Sequence, residues 1–585
     1  MKRILVLTIL VLPLLGAGAP AAKPRPSQAL AAVLAEYDRY ELKNDLVLRV
    51  QQGLPVKSLP DFSYEGARKR TAFYRSLRER LARIDPKGLT HEEWLSREVL
   101  DSNLSAFTEG FPHYWDFFQL TPYSSPFRVF HQAFTGFTFK TVQDRDRYLD
   151  LLQQYARIVG QLRTSLETQR DKGILLPRAE IDPVVGLVRS FVRKPEESLF
   201  AVGSDRLQKF YPEGAVAFQQ KVLKLVETTV NPALEALAAV PDAKAYREAA
   251  PEAVGLGQYP GGQAAYQYLV NLHTTMTGLT PQAIHERGLQ EVARLNARLE
   301  EVRKKVGFEG DLAAFRRFLK TDSRFFVKTP EEVAARLTAP LKRIEPRIPD
   351  FFGRTPKAPY GVARLDPALE AGMTYGYYQQ PLPGKPEGDY MFNGSKLEER
   401  SLLTAASLIY HELVPGHHFQ ISLQLENPGL PLFRKNSYPT AFVEGWAMYS
   451  SGLAEEMGGY ADPYDLAGFI AQDLFLSSRL VVDTGMNSLG WTRQRALDYL
   501  RENTFESDTQ LGTETLRYAV DIPGQALAYK MGSSRIWELR RKAEQELGKK
   551  FDLRRFHDAV LGSGALPMTV LEKHVEWWIG EEKKR

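Results

Sequence analysis

Apolar residues recur at spacings of three and four along most of the chain, and this period predicts helices. In residues 27–84 the spacing is set by Leu30, Val33, Leu34 and Tyr37. Similar patterns occupy residues 141–172, 205–239, 402–413, 536–547 and 556–578. A longer amphipathic stripe follows the cap-like pair Thr280-Pro281, and it consists of Leu289, Val292, Leu295, Leu299, Val302 and Val306. The pattern therefore predicts a mainly α fold with many helices.

Residues 346–396 depart from this pattern, because tyrosines alternate there with glycine and proline. The tyrosines are Tyr375, Tyr377, Tyr378 and Tyr390. This composition predicts a small β or irregular segment directly before a histidine-bearing helix, as a short strand pair or as the rim of a site. The edge of such a strand could bind an extended substrate.

Two further stretches bear on the organisation of the chain. Residues 105–140 are rich in aromatic side chains, which indicate core packing more strongly than a groove for apolar peptide side chains. Residues 240–262 are rich in alanine, proline and glycine, as domain boundaries often are. We expect an N-terminal helical region over residues 23–250 and a catalytic helical region over residues 251–585.

The first 22 residues resemble a secretory signal peptide. Lys2 and Arg3 precede an apolar run over residues 4–15, and small residues follow it up to Ala22. The run is too short to cross a bilayer. We therefore expect a periplasmic or secreted protein with no membrane span after removal of residues 1–22.

Composition narrows the function classes further. The chain has 585 residues, 43% of them hydrophobic, and no cysteine, so core burial rather than disulfides must stabilise it. Its 76 basic and 71 acidic residues are interspersed and leave a net charge of +5. Nothing in this balance indicates a nucleic-acid partner. The sequence leaves the oligomeric state open.

The stretch from Tyr410 to Gln420 holds the densest group of metal-capable side chains, because His411-Glu412 is followed by His417-His418. A helical H-E-x-x-H motif would need a histidine at position 415, where the chain has proline. Pro415-Gly416 predicts a break or widened turn that could return a later histidine towards His411. The residues alone leave His417 and His418 open as the second ligand. The alternative is a group of ordinary polar residues near a helix end.

A third ligand is available from Glu444, which follows His411 by 33 residues. It lies in a predicted helix between Pro439 and Gly458, on a face of small residues that allows close helix packing. Two histidines from one segment and a glutamate from a later helix form a known zinc arrangement. The alternative role for Glu444 is an ion pair with an arginine such as Arg479.

Polar residues downstream could complete a hydrolytic site. A phenol such as Tyr518 or Tyr529 could hydrogen-bond an oxyanion, and a cation such as Arg517 or Lys530 could hold a substrate carboxylate. Asp483 could support a ligand histidine or pair with Arg479 instead. Gln525 supplies an amide in the same segment. The alternative for Tyr529 and Lys530 is ordinary helix surface.

Other histidines fit structural roles better. His91-Glu92 follows Thr90, and Glu93 completes a capping box, so helix initiation accounts for this pair better than metal binding. His273 and His285 stand alone, and a lone histidine is more often a structural hydrogen-bonding residue.

The assembled motifs resemble the DUF885 family of bacterial proteins, which looks like a distant relative of zinc-dependent helical metallopeptidases. The residues that carry the resemblance are His273-Thr274-Thr275, His411-Glu412-x-x-Pro415-Gly416-His417, Glu444-Gly445-Trp446-Ala447, Asp483-Thr484-Gly485, Arg517-Tyr518, Pro523-Gly524-Gln525-Ala526 and Phe556-His557-Asp558. The resemblance implies a mostly helical metallopeptidase fold with a groove, found in secreted or cell-envelope proteins.

The resemblance also assigns positions. It implies that the family pattern falls on His411, Glu412 and His417, which leaves His418 outside it. Relatives typically read Asp-x-Gly-x-His where this chain ends in Asn487. If that histidine binds substrate, Asn487 would occupy a substrate-binding position with altered specificity or activity, although an amide can still donate a hydrogen bond.

These observations predict a zinc-dependent peptidase that acts on short peptides. One Zn²⁺ would be held by His411, His417 and Glu444, and Glu412 would act as general base. The competing interpretation is a secreted binding protein on a metallopeptidase scaffold with weak or absent catalysis. A serine or cysteine hydrolase is disfavoured, because the chain has no cysteine and no G-x-S-x-G motif.

Overall fold

The computed structural model describes residues 25–208, 213–370, 376–382 and 384–585. The predicted signal peptide, residues 1–22, and Tyr375 lie outside these ranges. Within them the chain is mainly helical, as the apolar spacing predicts, and it contains a single small sheet. The division near residue 250 stays a prediction.

The helices of the first half include the long α6 and a series of shorter elements. They are α1 (Pro26–Asn44), α2 (Leu46–Gln51), α3 (Tyr64–Ala82), α4 (His91–Gly110), α5 (Phe127–Thr135), α6 (Val142–Asp171), α7 (Arg178–Ser190), α8 (Ser204–Gln208), α9 (Ala215–Leu225), α10 (Asn231–Asp242), α11 (Lys244–Ala249), α12 (Gly262–Thr274), α13 (Pro281–Lys305), α14 (Leu312–Thr321), α15 (Pro330–Ile344), α16 (Ile348–Phe351) and α17 (Pro367–Glu370).

The second half begins at the histidine-bearing helices and is helical to its end. Its members are α18 (Ala405–Glu412), α19 (His417–Glu426), α20 (Leu432–Lys435), α21 (Thr440–Glu456), α22 (Pro463–Ser488), α23 (Arg493–Asn503), α24 (Asp508–Leu516), α25 (Leu527–Leu547), α26 (Leu553–Gly562) and α27 (Met568–Lys584). A π-helical turn, Arg517–Asp521, connects α24 to the segment before α25.

Helix starts follow the capping signals of the sequence. Thr90 and Glu93 form the predicted capping box of α4, and Thr280 caps α13 ahead of Pro281. In the apolar stripe of α13, Val292, Leu295, Leu299 and Val302 are buried, Val306 at the end of the helix is half-buried and Leu289 is exposed. His91 packs against Trp577 and hydrogen-bonds His574, so it has the structural role that the capping pattern indicates.

One hydrophobic core extends from Leu30 in α1 to Ile579 in α27. Much of the aromatic segment enters this core, including Phe118, Phe127 and Phe130, which are nearly inaccessible. Core packing is therefore the main role of these rings, as their composition indicates. No described helix is both long enough and apolar enough to traverse a bilayer.

The small sheet stands directly before α18, as predicted, but it has three strands rather than two. They are β1 (Tyr360–Arg364), β2 (Gly376–Gln379) and β3 (Gly388–Phe392), in the order β1-β3-β2. β3 pairs with β1 in parallel, Tyr360 opposite Gly388, and with β2 in antiparallel, Tyr378 opposite Tyr390. β2 is therefore an edge strand of the described sheet.

Helices α21 and α25 cross at two glycines. A methyl group on Gly445 would lie 2.6 Å from the backbone of Gly532, and one on Gly532 would lie 1.9 Å from the carbonyl oxygen of Ala441. Neither backbone could approach so closely with any larger residue. This contact sets the distance between Glu444 on α21 and Tyr529 on α25.

Candidate metal centre

The Val414-Pro415-Gly416 turn separates two helices, and each carries one histidine of the site. α18 ends at Glu412 and α19 begins at His417, as the Pro-Gly pair predicts. A methyl group on Gly416 would lie 1.9 Å from the carbonyl oxygen of His411, so only glycine allows this turn to close. The indole of Trp446 donates to the Pro415 carbonyl at 2.9 Å, which fixes the turn against α21.

The turn brings three potential metal ligands together. The Nε2 atoms of His411 and His417 lie 3.6 Å and 3.4 Å from Oε2 of Glu444. All three candidate ligand atoms lie within 4.8 Å of one another, and all three side chains are buried. We call His411, His417 and Glu444 the ligand cluster. It could hold a metal ion.

Charges within the cluster are strongly coupled. Burial alone would raise the pKa of the Glu444 carboxyl, but the two imidazoles outweigh burial and hold this pKa well below its usual range. Burial alone would lower the pKa of His417, but the Glu444 carboxylate reverses that effect and raises it. Glu444 therefore interacts with the imidazoles and not with Arg479, which pairs with Glu514.

Glu412 lies beside the ligand cluster without joining it. Burial raises the pKa of its carboxyl, whereas His417 and His411 act in the opposite direction. The backbone N–H of Tyr378 also donates to this carboxylate. Glu412 thus lies between the ligand cluster and the edge strand β2.

His418 has other partners. Its Nδ1 lies 3.1 Å from the Tyr378 hydroxyl, and its Nε2 lies 3.0 Å from the Ala358 carbonyl oxygen. Both ring nitrogens are therefore used by the β segment, and the geometry favours His417 over His418 as the second ligand.

Two phenols approach the ligand cluster. The ring of Tyr529 stacks on His411 at 6.3 Å between centroids, and burial and the Glu444 charge raise the pKa of the Tyr529 hydroxyl. The second phenol is Tyr438, which sequence reasoning missed. Its residue is 55% exposed, yet its hydroxyl interacts with Glu444, and desolvation and that charge raise its pKa. Its position directly before a glutamate-bearing helix was the available signal.

Tyr518 and Arg517 belong to a separate group that we call the closed network, formed with Arg479 and Glu514. Arg479 Nε donates to the Tyr518 hydroxyl at 2.7 Å, and that hydroxyl donates to Glu514. Arg479 and Arg517 each lie 3.2 Å from the same carboxylate. These contacts use the Tyr518 hydroxyl, so the geometry favours Tyr529 over Tyr518 as a donor to an oxyanion.

Gln525 connects the closed network to the site. Its Oε1 accepts from Arg517 Nη2 at 2.8 Å, and its side chain also hydrogen-bonds Tyr529. Because Oε1 is used by Arg517, the amide N–H donates to the Tyr529 hydroxyl. The hydroxyl proton of Tyr529 therefore remains available. Gln525 thus helps to position Tyr529, and its substrate-binding role stays a prediction.

The structure corrects the prediction that Lys530 holds a substrate carboxylate. Its ammonium lies 2.7 Å from Asp473 and 3.0 Å from Glu291, and the side chain is buried. Consecutive helical residues point about 100° apart, so Lys530 faces these acids while Tyr529 faces the ligand cluster. Its charge is already paired, and it does not serve as a grip for a substrate carboxylate.

Asn487 and Asp483 also have structural roles. Asn487 is fully buried, accepts from the Leu256 N–H at 3.0 Å and donates to the carbonyls of Asp483 and Tyr518. Asp483 accepts from the Tyr266 hydroxyl and the Gly524 N–H. The expectation that Asn487 contacts substrate is therefore corrected, and Asp483 supports neither ligand histidine.

Two cavities adjoin the site at Tyr438. One, of about 440 Å³, is lined by residues of α1, α19 and the segment before α21. The other, of about 490 Å³, lies between α4, α12 and the same tyrosine. Space for a ligand of peptide size therefore lies next to the residue whose hydroxyl faces Glu444.

These features define a class: a large, mainly helical protein with a buried His-His-Glu group able to hold a metal ion. The sequence model of a family described as bacterial protein of unknown function, DUF885, matches residues 47–575. The chain belongs to this family. A search of curated proteins found no match.

Two solved structures share the fold. A protein from Colwellia psychrerythraea described as a putative lipoprotein aligns with a TM-score of 0.84 at 25% identity, over 95% of this chain and 99% of that one. A protein from Shewanella oneidensis described as a putative lipoprotein of unknown function aligns with a TM-score of 0.72 at 18% identity, over 94% and 99%. The second likeness concerns the fold alone.

Proposed function

We propose that this protein is a zinc-dependent peptidase of the cell envelope that hydrolyses short peptides. The observation that carries the proposal is the ligand cluster with Glu412 directly beside it. Four ligands held about 2.1 Å from a tetrahedral Zn²⁺ lie about 3.4 Å apart. The Nε2-to-Oε2 separations of 3.4 Å and 3.6 Å fit that requirement.

The donor set also fits zinc chemically. Two imidazoles and one carboxylate leave a fourth position open, which is the arrangement of catalytic rather than structural zinc sites. Zinc held there supplies a Lewis acid that makes water a stronger acid and polarises a carbonyl. The Nδ1 atoms of both histidines are buried without a partner among the described residues, so packing rather than a carboxylate would orient the rings.

The remaining roles fall to residues around the cluster. A carboxylate oxygen of Glu412 takes the proton of the attacking water and returns it to the leaving amine. The hydroxyl of Tyr529 donates to the developing oxyanion, and Tyr438 is the second candidate for that task. Strand β2 borders Glu412 and offers an edge along which an extended peptide can pair.

The cell-envelope location rests on two observations of unequal kind. Residues 1–22 have the pattern of a signal peptide. The protein of similar fold from Colwellia psychrerythraea is described as a putative lipoprotein. Both support export from the cytoplasm.

The test begins with the metal and proceeds to turnover. Protein lacking residues 1–22 is purified, its zinc content is measured by elemental analysis, and hydrolysis of a mixed peptide library is followed by mass spectrometry. We expect about one zinc per chain and cleavage that chelator removes and zinc restores.

The decisive variant is Glu412→Gln. Its amide keeps the shape of the side chain but cannot accept the proton, so we expect turnover to fall by about a thousandfold or more while zinc content stays at the wild-type level. Retained hydrolysis in this variant would refute the mechanism. A wild-type protein that cannot take up zinc would favour the competing proposal, a binding protein without chemistry, which the unpartnered Nδ1 atoms support.

A further inference from the structure

One face of α19 leads from the ligand cluster into the neighbouring cavity. Gln420, Ile421 and Gln424 follow His417 by three, four and seven residues, so the four side chains share one face of the helix. The last three line the cavity of about 440 Å³, together with Tyr438. The cavity therefore begins about one helical turn, roughly 5 Å, from His417.

The opposite wall of this cavity is acidic. Asp38, Glu41 and Asp45 stand at spacings of three and four around the end of α1, and all three line the cavity. Among the described residues, no lysine or arginine lies within ion-pair distance of any of them. Lys435 is the one cation among the described lining residues, and its ammonium donates to the carbonyl of Leu425. Arg70 acts on Glu41 from beyond that distance, so none of the three carboxyls has an ion-pair partner in the described ranges.

These carboxyls are poorly solvated. Burial raises the pKa of Asp38 to about 6 and that of Glu41 to about 7, although the Tyr74 hydroxyl donates to Glu41. The Phe433 N–H and the charge of Arg70 act against burial only in part. Desolvated carboxylates are costly, and a cation beside them offsets that cost.

Two further groups point to the same kind of ligand. Gln420 is 2% exposed and Ser437 is 7% exposed, and both line the cavity. The Oε1 of Gln420 and the Oγ of Ser437 have no hydrogen-bond partner among the described residues. The amide nitrogen of Gln420 donates to Gln424, so what it offers the cavity is an acceptor. The buried Oε1 of Gln420 requires a donor, and the Ser437 hydroxyl can accept from the same group or donate.

We propose that this cavity is a specificity subsite that receives a cationic group of the peptide, either the side chain of lysine or arginine or a free α-amino group. This inference rests on the proposed peptidase function and identifies its substrate class. A metal ion is the wrong occupant, because the three carboxylates do not come together as a ligand group in the described part of the chain, whereas the ligand cluster does. An elongated organic cation matches separated acceptors.

The substrate test compares charge at constant shape. Peptides with blocked ends carry one lysine or one norleucine at each position in turn, and kcat/KM is measured for each pair. We expect lysine to exceed norleucine by about ten- to a hundredfold at one position. A second set of peptides, which carries norleucine only and has a free α-amino group, distinguishes the two sources. If kcat/KM rises only when the α-amino group is free, the subsite binds the chain terminus. Equal rates throughout both sets would overturn the inference.

The variants Asp38→Asn and Glu41→Gln remove charge and keep shape. We expect each to lower the lysine-to-norleucine ratio by about tenfold, since each removes one charge partner of the ammonium. Glu36→Gln is the matched control, because Glu36 lies on the same helix but pairs with Arg80 outside the cavity. Melting temperatures verify that each variant is folded. A ratio that falls equally in the control would contradict the assignment.

A peptide-binding experiment tests the proposed subsite separately from the proposed peptidase activity. Fluorescent versions of the same peptides are titrated into zinc-loaded Glu412→Gln protein, where binding requires no turnover. Hydrolysis without preference for the cation, together with equal affinities, rejects the subsite and leaves the peptidase standing. Preferred binding of the cationic peptide without hydrolysis by wild type rejects the peptidase and retains the cation site.

Discussion

The ligand cluster and the closed network are both buried groups of charged side chains, and they meet at Tyr529. In the closed network the Glu514 carboxylate accepts from Arg479, Arg517 and Tyr518, so its charge is compensated within the protein. In the ligand cluster two imidazole nitrogens and a carboxylate oxygen lie within 4.8 Å of one another and face the same point.

This difference separates a structural group from a functional one. Buried charge alone does not indicate a site, because the closed network is also buried and charged, and its arginines and glutamate are paired with one another. What distinguishes the cluster is that its two imidazole nitrogens and its carboxylate oxygen converge on one position. The Arg479 guanidinium lies 5.0 Å from the Tyr529 ring, so the closed network supports the ring that stacks on His411.

We expect the largest effect from the substitution of a metal-ligating residue. His417→Ala removes one of three donors, and we expect zinc affinity to fall by at least about a hundredfold, since even residues that only support ligands cost that much. Peptide hydrolysis should become undetectable. Zinc content after dialysis against graded chelator measures the change, with His418→Gln as the matched control. Loss of zinc in the control but not in His417→Ala would make His418 the ligand.

Glu514→Gln should act on stability instead. The change leaves Arg479 and Arg517 buried without their carboxylate, and we expect the free energy of unfolding to fall by about 3–5 kcal/mol. Zinc content should not change. Urea denaturation measures the loss, and Glu538→Gln, which breaks the partly exposed pair with Arg287, should cost at most about 1 kcal/mol. Zinc loss from folded Glu514→Gln would show that the two groups are not separate.

Tyr529→Phe tests the residue at which the ligand cluster and the closed network meet. Removing the hydroxyl deletes the proposed donor to the oxyanion, so we expect kcat to fall by about a hundredfold with KM and zinc content little changed. Tyr438→Phe is measured beside it, and Tyr460→Phe, whose hydroxyl binds the Ser451 carbonyl, is the control. If only Tyr438→Phe is slow, that residue is the donor and Tyr529 is a packing residue.

The smallest effect concerns a third buried group, Glu180 and Asp521. Burial, with the charge of Asp521, raises the pKa of Glu180, and burial raises the pKa of Asp521. The folded protein therefore retains a proton that the unfolded chain releases, and the free energy of unfolding falls as pH rises above the ordinary carboxyl range. Glu180→Gln should reduce this slope by about 1 kcal/mol per pH unit. Thermal melts across pH measure it, with exposed Glu196→Gln as control; an unchanged slope contradicts the pairing.

The features that depend on near neighbours in the chain could be predicted from the sequence. Helical spacing, capping residues and the Pro415-Gly416 break depend on near neighbours, so the mainly α fold and the separation of α18 from α19 could be predicted. The second histidine needed the family resemblance, because a break of unknown angle does not determine where the next helix points.

The partners of isolated polar residues could not be predicted. Lys530 is adjacent to Tyr529 in sequence, and only the packing of α22 and α13 reveals that it meets Asp473 and Glu291. Asn487 has its partners in Leu256 and Tyr518, which are distant in the chain. The acids of the proposed subsite precede the ligand cluster by more than 350 residues, beyond the reach of any periodicity.

The glycine contact between α21 and α25 has a consequence for variation in this protein. Gly445 and Gly532 touch no proposed substrate, yet any side chain at either position must separate the two helices and move Tyr529 away from Glu444. In a library of random variants screened for turnover, both positions should tolerate as little substitution as a metal-ligating residue of the ligand cluster. A map of mutational tolerance would therefore mark the helix crossing as part of the site. Activity depends on the distance between the axes of α21 and α25, because that distance places Tyr529 relative to Glu444.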